Sequence, residues 1–190
     1  IVDLSLFESI FSFVASEAVK QRVSGKVSMR SGNQSMHTSP RNVYPCQDGK
    51  FIALSASMQS MCERLLEAIG RKELIDDPRF RTNDSRVKNR DELDEIIGDF
   101  ISQRDLEDNL SFFESAQVTV GPVLDMGALL NHPYIAGRQI LQEFEDPDID
   151  SIPAHEPVPR LSKTPGRIVS PAPSLGEHTA QLEEELKRGE

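Results

Sequence analysis

The distribution of proline limits regular structure in the last third of the chain. Seven of the twelve prolines lie at positions 147, 153, 157, 159, 165, 171 and 173. Proline has no N–H to donate and its φ is fixed, so this density opposes both helix and sheet. We therefore predict an irregular extended arm over Asp146–Pro173, and an arm of that length is uncommon inside a self-contained domain.

The first residues form an apolar segment that also constrains the fold. Ile1–Val19 is apolar on most faces and is interrupted by Asp3, Glu8 and Glu17. We predict a helix over Leu4–Arg22 that is buried on nearly all sides, and such a helix needs neighbours. A signal peptide would need a basic first segment, and a bilayer span would need an uninterrupted apolar run. We therefore expect no membrane insertion, and expect the helix and the arm to be two ends of a larger body.

Between these ends the sequence predicts a compact α+β body over residues 43–145. Asp48-Gly49 separates two short extended runs, which is typical of a β-hairpin. Ser57 is the predicted N-cap of a helix that ends at Gly70. The other predicted elements are a helix opening at Asn89 or Asp91, helices over Leu106–Ala116 and Asp125–Leu130, strands over Gln117–Val120 and Arg138–Phe144, and a last helix over Gly176–Lys187.

Composition excludes two classes of protein. The 31 acidic residues outnumber the 21 basic ones and give a net charge of −10. Nucleic-acid binding depends on clustered Lys and Arg, so we expect no nucleic-acid partner. Two cysteines cannot build a disulfide framework, which favours a reducing compartment and hence the cytoplasm.

The spacing of the reactive residues along the chain does not by itself predict a catalytic site. The four histidines lie far apart, and Cys46 and Cys62 do not form a C-x-x-C pair, so we expect no metal site. The chain has no G-x-S-x-G, Walker or dinucleotide-binding motif. Cys62 shares a predicted helix with Met61 and Leu65, which favours a buried structural thiol over a nucleophile.

A series of short motifs nevertheless runs in a recognisable order along nearly the whole chain. They are Val2–Glu8, Arg30–Asn33, Asp48–Phe51, Arg64-Leu65, Asp76–Phe80, Arg86 with Asn89-Arg90, Gly121–Val123, His132-Pro133, Arg160–Ser162, Thr164–Gly166 and Leu175–His178. In this order they resemble the C-terminal half of family III CoA-transferases. That family includes formyl-CoA transferase and carnitine CoA-transferase, and it shares its fold with α-methylacyl-CoA racemase.

The resemblance implies an α/β enzyme with a small α+β domain inserted in a Rossmann-like large domain, and two such chains interlocked as a homodimer. Residues 1–42 would then belong to the large domain, residues 43–145 to the small domain, and residues 146–190 to the arm returning to the large domain. The implied substrates are an acyl-CoA thioester and a carboxylic acid, with no bound cofactor. The family nucleophile is an Asp expected upstream of Ile1, so no catalytic residue is expected in this chain, and the chain alone would be inactive.

The resemblance also assigns a substrate-binding loop. In formyl-CoA transferase a mobile glycine-rich loop follows the Arg-x-Gly-Asn motif and covers the active-site carboxylate. The corresponding substrate-binding residues here are Gly32, Asn33, Gln34, Ser35, Met36, His37 and Thr38. The loop position is kept and its glycines are lost, which puts formyl-CoA or oxalate chemistry in doubt and favours a different pair of acids. An ordinary connecting loop is the alternative.

Two other functions remain open from the sequence. In the racemases a Glu follows the strand after the Asp-Gly turn, and Met58 takes that position here. A thioether cannot transfer a proton, so 2-methylacyl-CoA racemisation is disfavoured. The second alternative is a truncated, non-catalytic chain that acts as an interaction module.

Overall fold

The chain forms two compact units, Ile1–Val123 and Leu124–Glu190. A computed structural model describes residues 3–146 and 149–189. Helices and short antiparallel sheets alternate along these ranges, which confirms the predicted mixed α/β class. Each unit is described by itself below.

The first unit begins with a long helix, α1 (Leu6–Ser24). The Ser5 side chain accepts a hydrogen bond from the N–H of Glu8, and Gly25 ends the helix in the left-handed conformation at φ 70°. The predicted helix is confirmed, but no residue of it is buried in the described chain, and Phe13 remains 85% exposed. The described residues do not supply the expected burial, because nothing among them covers α1.

A three-stranded antiparallel sheet organises the rest of this unit. β1 (Arg41–Pro45) and β2 (Phe51–Ser55) form the predicted hairpin, and Gly49 takes φ 77° in the connection. β3 (Val120–Val123) pairs with the other edge of β2. This strand lies further along the chain than predicted and includes Pro122, which an edge strand tolerates because one of its sides needs no donor.

Helices cover one face of this sheet and enclose the core. They are α2 (Gln59–Ala68), α3 (Asn83–Lys88), α4 (Arg90–Ile101) and α5 (Leu106–Ser115), with a 3₁₀ turn at Lys72–Leu74. Ile52 and Leu54 of β2 point into the core, where Leu65, Leu93 and Phe113 are fully buried. Alternation along β2 explains this, since successive side chains lie on opposite faces.

The start of α2 differs from the sequence prediction. Its N-cap is Met58, with no side-chain hydrogen bond, and Met58 is 67% exposed. The Ser57 hydroxyl is buried and caps nothing. Helix α3 was not predicted. It begins where Thr82 accepts a hydrogen bond from the N–H of Ser85 at 3.2 Å.

The second unit contains short elements and no buried residue among those described. They are α6 (Met126–Leu130), α7 (Pro133–Gly137), β4 (Leu141–Asp146), β5 (Asp150–His155) and α8 (Thr179–Arg188). β5 pairs with β4, so the predicted irregular arm is wrong over Asp150–His155. A two-stranded ribbon has two free edges, and Pro153 fits there. Residues 156–173 contain no helix or strand, as predicted.

Across the described ranges, every helix is too short or too polar to cross a bilayer.

Candidate substrate-binding loop

The predicted substrate-binding residues lie in one loop, residues 31–40, which leads from α1 towards β1. Gly32 takes φ 61°, a conformation that glycine adopts without steric cost. The N–H of Gln34 donates to the carbonyl of Ser31 at 3.2 Å and closes a turn around it. Ser39 and Pro40 are buried at the other end of the loop.

Ser35 organises the middle of the loop. Its hydroxyl oxygen accepts hydrogen bonds from the backbone N–H groups of His37 and Thr38, both at 3.3 Å, and from the Thr38 hydroxyl at 3.1 Å. A serine side chain that bonds nearby N–H groups stabilises a turn without backbone pairing. The loop therefore has a defined conformation although glycines are scarce in it.

Asp94 of α4 binds the first half of the loop to the sheet. Its Oδ2 accepts from Gln34 Nε2 at 2.9 Å and from Asn42 Nδ2 at 2.8 Å. Its Oδ1 accepts from the Tyr44 hydroxyl at 2.6 Å. Gln34 Nε2 also donates to Asp91 Oδ1 at 3.1 Å. The Asp94 carboxylate thus connects the loop, β1 and α4 through hydrogen bonds.

Tyr44 completes this cluster as a donor. Its ring is 3% exposed. Burial raises the pKa of Tyr44, and the charge of Asp94 and the hydrogen bond to it raise it further. The hydroxyl therefore keeps its proton, and Asp94 keeps a neutral partner in the core.

Asn83 and Arg86 of α3 hold the second half of the loop. Asn83 Nδ2 donates to the carbonyl of His37 at 2.9 Å, and Asn83 Oδ1 accepts from the N–H of Ser39 at 3.3 Å. Arg86 is 1% exposed, and its Nε donates to the carbonyl of Ser39 at 2.7 Å. These bonds fix the loop where it enters β1.

The guanidinium of Arg86 also joins two other segments, the chain at Phe80 and the start of α2. It donates to the carbonyl of Phe80 at 3.0 Å, to Gln59 Oε1 at 3.0 Å and to the carbonyl of Ser57 at 3.3 Å. A buried cation is tolerated when its donors are satisfied in this way. Arg86 is therefore a structural residue beneath the loop.

The seven predicted residues divide into two groups. Gln34, Ser35, Met36 and Thr38 are half-buried, and their side chains hold the loop together or bind it to its support. Gly32, Asn33 and His37 are exposed. Asn33 also lines a shallow cleft of about 360 Å³ on the outer face of the sheet, beside Arg41, Ser55, Thr119 and Gly121.

The sequence motifs do not single out the residues that support the loop. Arg86 belongs to one motif, while Asn83 and Asp94 belong to none. A polar side chain on the inner face of an amphipathic helix is the signal that could have found Asp94, because it lies one position after the buried Leu93 and three before the buried Ile97.

The described ranges contain no group of three or more His, Cys, Asp or Glu residues that could hold a metal ion. Cys46 and Cys62 are buried, and burial raises the pKa of both thiols. A neutral buried thiol is a poor nucleophile, so Cys62 is a structural thiol, as predicted.

Comparison with known proteins decides the family. The model of CoA-transferase family III matches residues 1–179. The chain belongs to family III of the CoA-transferases. Similar curated members are the succinyl-CoA–D-citramalate CoA-transferase of Chloroflexus aurantiacus, at 29% identity over 96% of this chain, and the succinate–glutarate CoA-transferase of Agrobacterium fabrum, at 30% over 98%.

Solved structures share the fold of this CoA-transferase chain. A CAIB/BAIF family protein from Brucella suis covers 97% of the chain with a TM-score of 0.79 and 25% identity. A Mycobacterium tuberculosis protein, Rv3272, covers 95% with a TM-score of 0.72 and 19% identity, a level that supports the fold alone.

The chain spans less than half the length of these proteins. It covers 45% of the Chloroflexus enzyme, 46% of the Agrobacterium enzyme and 47% of the Brucella structure. The CoA-transferase relatives therefore contain as much sequence again, and a complete active site in them can draw on residues that have no counterpart here.

Proposed function

We propose that this chain is the C-terminal part of an enzyme that transfers CoA from an acyl-CoA thioester to a carboxylic acid. The observation that carries the proposal is the family match over residues 1–179, together with curated CoA-transferases that align with 96–98% of the chain. The order of the sequence motifs supports the same assignment.

The nucleophile in this proposal is an Asp outside the 190 residues. The relatives are more than twice as long as the chain, which supports a missing catalytic part. The exposed apolar side chains of α1, with Leu6 at 89% and Val23 at 82% exposure, also support a larger body that covers them. Asp3 is not a candidate nucleophile, because it matches the helix motif that follows the family Asp in sequence. The chain by itself is then inactive.

The proposed reaction splits one difficult exchange into easier steps. The Asp carboxylate attacks the thioester carbonyl, the C–S bond breaks, and a mixed anhydride and CoA thiolate form. The thiolate attacks the aspartyl carbonyl, releases the first acid and leaves an aspartyl-CoA thioester. The second acid attacks that thioester to form a new anhydride and release CoA thiolate. The thiolate then attacks the new acyl carbonyl, giving the new acyl-CoA and the free Asp.

Within this reaction the loop of residues 32–38 contacts substrate. The exposed Asn33 and His37 offer hydrogen-bonding groups, and the half-buried residues keep them in place. The predicted domain assignment, residues 1–42 and 146–190 with the large domain and 43–145 as the small domain, belongs to the same proposal. So do the interlocked homodimer and the cytoplasmic location.

Dicarboxylic acids are the first substrates to test. Relatives are named for succinyl-CoA with D-citramalate, glutarate or L-malate, and another is named for acetyl-CoA with oxalate. Succinyl-CoA is therefore the donor of choice, with glutarate, malate and citramalate as acceptors and oxalate as a contrasting short acid.

The decisive experiment uses the natural polypeptide that contains these residues. Its intact mass is compared with 21.2 kDa, the mass of the chain. It is then incubated with succinyl-CoA and treated with hydroxylamine, which converts an aspartyl thioester or anhydride into a hydroxamate. We expect a larger mass, transfer of CoA to an added acid, and one Asp modified only when donor is present.

The outcomes separate the alternatives. Deuterium uptake at the α-carbon of a 2-methylacyl-CoA in D₂O, without CoA transfer, would revive the racemase, although the exposed Met58 has no proton to exchange. A native mass near 21.2 kDa with no activity would favour the interaction module instead.

A further inference from the structure

We infer that Asp94 is a positioning residue that, through Gln34, latches the first half of the substrate-binding loop onto α4 and β1. The inference rests on the proposed function only in treating residues 32–38 as the part of the loop that meets substrate. The hydrogen bonds that form the latch all lie within the first unit and do not depend on the proposed function.

The Asp94 carboxylate is held rigidly from the sheet side. Asn42 and Tyr44 both donate to it from β1, at 2.8 and 2.6 Å. β1 pairs with β2 along its whole length, so these two donors have fixed positions. Asp94 therefore presents its Oδ2 as a preset acceptor, and Gln34 binds there without any rearrangement of the sheet.

Gln34 is the part that can release. Its amide reaches Asp94 at 2.9 Å and the exposed Asp91 at 3.1 Å, and Gln34 itself is half-buried. Water can therefore replace the carboxylates as partners. The preceding Gly32, at φ 61°, and the exposed Asn33 place no packed side chain in the way of movement.

The two halves of the loop are held differently. Among the described residues, the first half is attached to its support by the Gln34 amide and by a long contact from Arg90 to the Met36 sulfur at 3.6 Å. The second half is fixed by Asn83 and by the buried Arg86. Release of Gln34 therefore frees residues 32–34, while Met36 keeps its contact with Arg90 and the attachment to β1 stays closed.

The test measures hydrogen–deuterium exchange of residues 31–38 in the full natural polypeptide. Gln34→Glu replaces the donor amide with a third carboxylate beside Asp91 and Asp94. Arg90 also faces this cluster, with its Nε 3.8 Å from Asp91 Oδ1, and so does the Tyr44 hydroxyl. Burial keeps the Tyr44 hydroxyl protonated, so the introduced carboxylate is repelled by those of Asp91 and Asp94.

We expect exchange in the loop to be at least tenfold faster for Gln34→Glu at pH 7.5, and the excess to shrink towards pH 4.5 as the introduced Glu becomes protonated. Gln34→Ala should accelerate exchange several-fold at both pH values, since it removes the donor without adding charge. Gln47→Glu is the control for charge, because Gln47 is exposed in the hairpin connection. It should leave loop exchange unchanged.

Two results would overturn the latch. One is loop exchange in Gln34→Glu equal to that of the Gln47→Glu control. The other is acceleration that extends equally through β1 and β2, which would make Gln34 a general contributor to stability and no latch.

Kinetics separate positioning from stability and from the proposed function. If only the latched loop is competent, KM for the acid acceptor in Gln34→Ala should rise in inverse proportion to the fraction of loop that stays latched, which exchange measures, with kcat within about twofold. A wild-type KM in a variant whose loop is mostly open by exchange would overturn the positioning role. If the wild-type protein transfers no CoA while its loop still responds to Gln34→Glu, the latch stands and the proposed function fails.

Discussion

Two antiparallel ribbons in this chain show what burial adds to backbone pairing. β1–β2 lies under helices and contributes Tyr44, Ile52 and Leu54 to a core cluster that, among the described residues, has seventeen buried apolar members between positions 44 and 118. β4–β5 pairs over six residues on each strand, yet no described residue of its unit is buried. Both ribbons pair the backbone groups that face each other, but an isolated two-stranded ribbon is only marginally stable. Removing side-chain contacts should therefore affect the first unit far more than the second.

The largest difference is expected for aromatic residues. Phe113→Ala empties a fully buried position and should lower the free energy of unfolding by about 3–5 kcal/mol. Tyr134→Ala in the second unit, at 62% exposure, should change it by no more than about 0.5 kcal/mol. Urea denaturation of the 190-residue chain measures both. Equal losses of unfolding free energy in the two variants would mean that burial does not distinguish the two units.

Two arginines that bind carbonyls sharpen the comparison. Arg86 is buried, and Arg86→Ala leaves the carbonyls of Ser39 and Phe80 without their donor, at a cost of about 3 kcal/mol. Arg160 donates to the carbonyls of Arg138 and Gln139 but is exposed, so water replaces it. Arg160→Ala should cost less than about 1 kcal/mol in the same denaturation experiment. If both variants lost a similar free energy of unfolding, burial of the carbonyls could not explain the cost of Arg86→Ala.

A smaller effect is expected for the two tyrosine hydroxyls. Tyr44→Phe removes the hydrogen bond to Asp94 in the core and should cost about 1.5 kcal/mol. Tyr134→Phe at its exposed site should be neutral within about 0.5 kcal/mol. Thermal unfolding followed by circular dichroism compares the two. A neutral Tyr44→Phe would show that water replaces the hydroxyl at Asp94.

Thiol chemistry tests burial without removing a packed group. Because burial raises the pKa of Cys46 and Cys62, both should react with iodoacetamide much more slowly than a cysteine introduced by Ser162→Cys in the exposed second unit. Mass spectrometry after timed alkylation gives the three rates. Fast labelling of Cys62 would show that the core opens readily.

The same shifts give a direction for pH dependence. Below about pH 8.5, the ordinary pKa of a thiol, both states hold neutral thiols and no stability is lost. As the pH rises above that value, the unfolded thiols ionise while the folded ones, with raised pKa values, stay neutral. Stability should therefore fall with rising pH, and replacing both cysteines with Ala should flatten that part of the curve.

Elements with a strong local pattern were predictable. Asp48-Gly49 predicted the first hairpin, and the apolar positions Leu93, Ile97 and Ile101 predicted the face of α4 that lies in the core. The prediction of an irregular arm was wrong over Asp150–His155, where β5 pairs with β4. A high density of prolines does not prevent strand pairing when a proline lies at the edge of a ribbon. The loop position could be found from its resemblance to a known family, while the polar contacts that hold it could not.

What the sequence determined by itself is the set of local choices: which segments are helical, where the turn of the first hairpin falls, and the family to which the motifs belong. These follow from short-range periodicity and from the conformational limits of Gly and Pro. Only the tertiary structure decided that Gln34 meets Asp94, sixty positions further along the chain, and that Arg86 lies beneath Ser39. Such contacts depend on which of many donors and acceptors the packed core brings within 3 Å, and no local pattern specifies that choice.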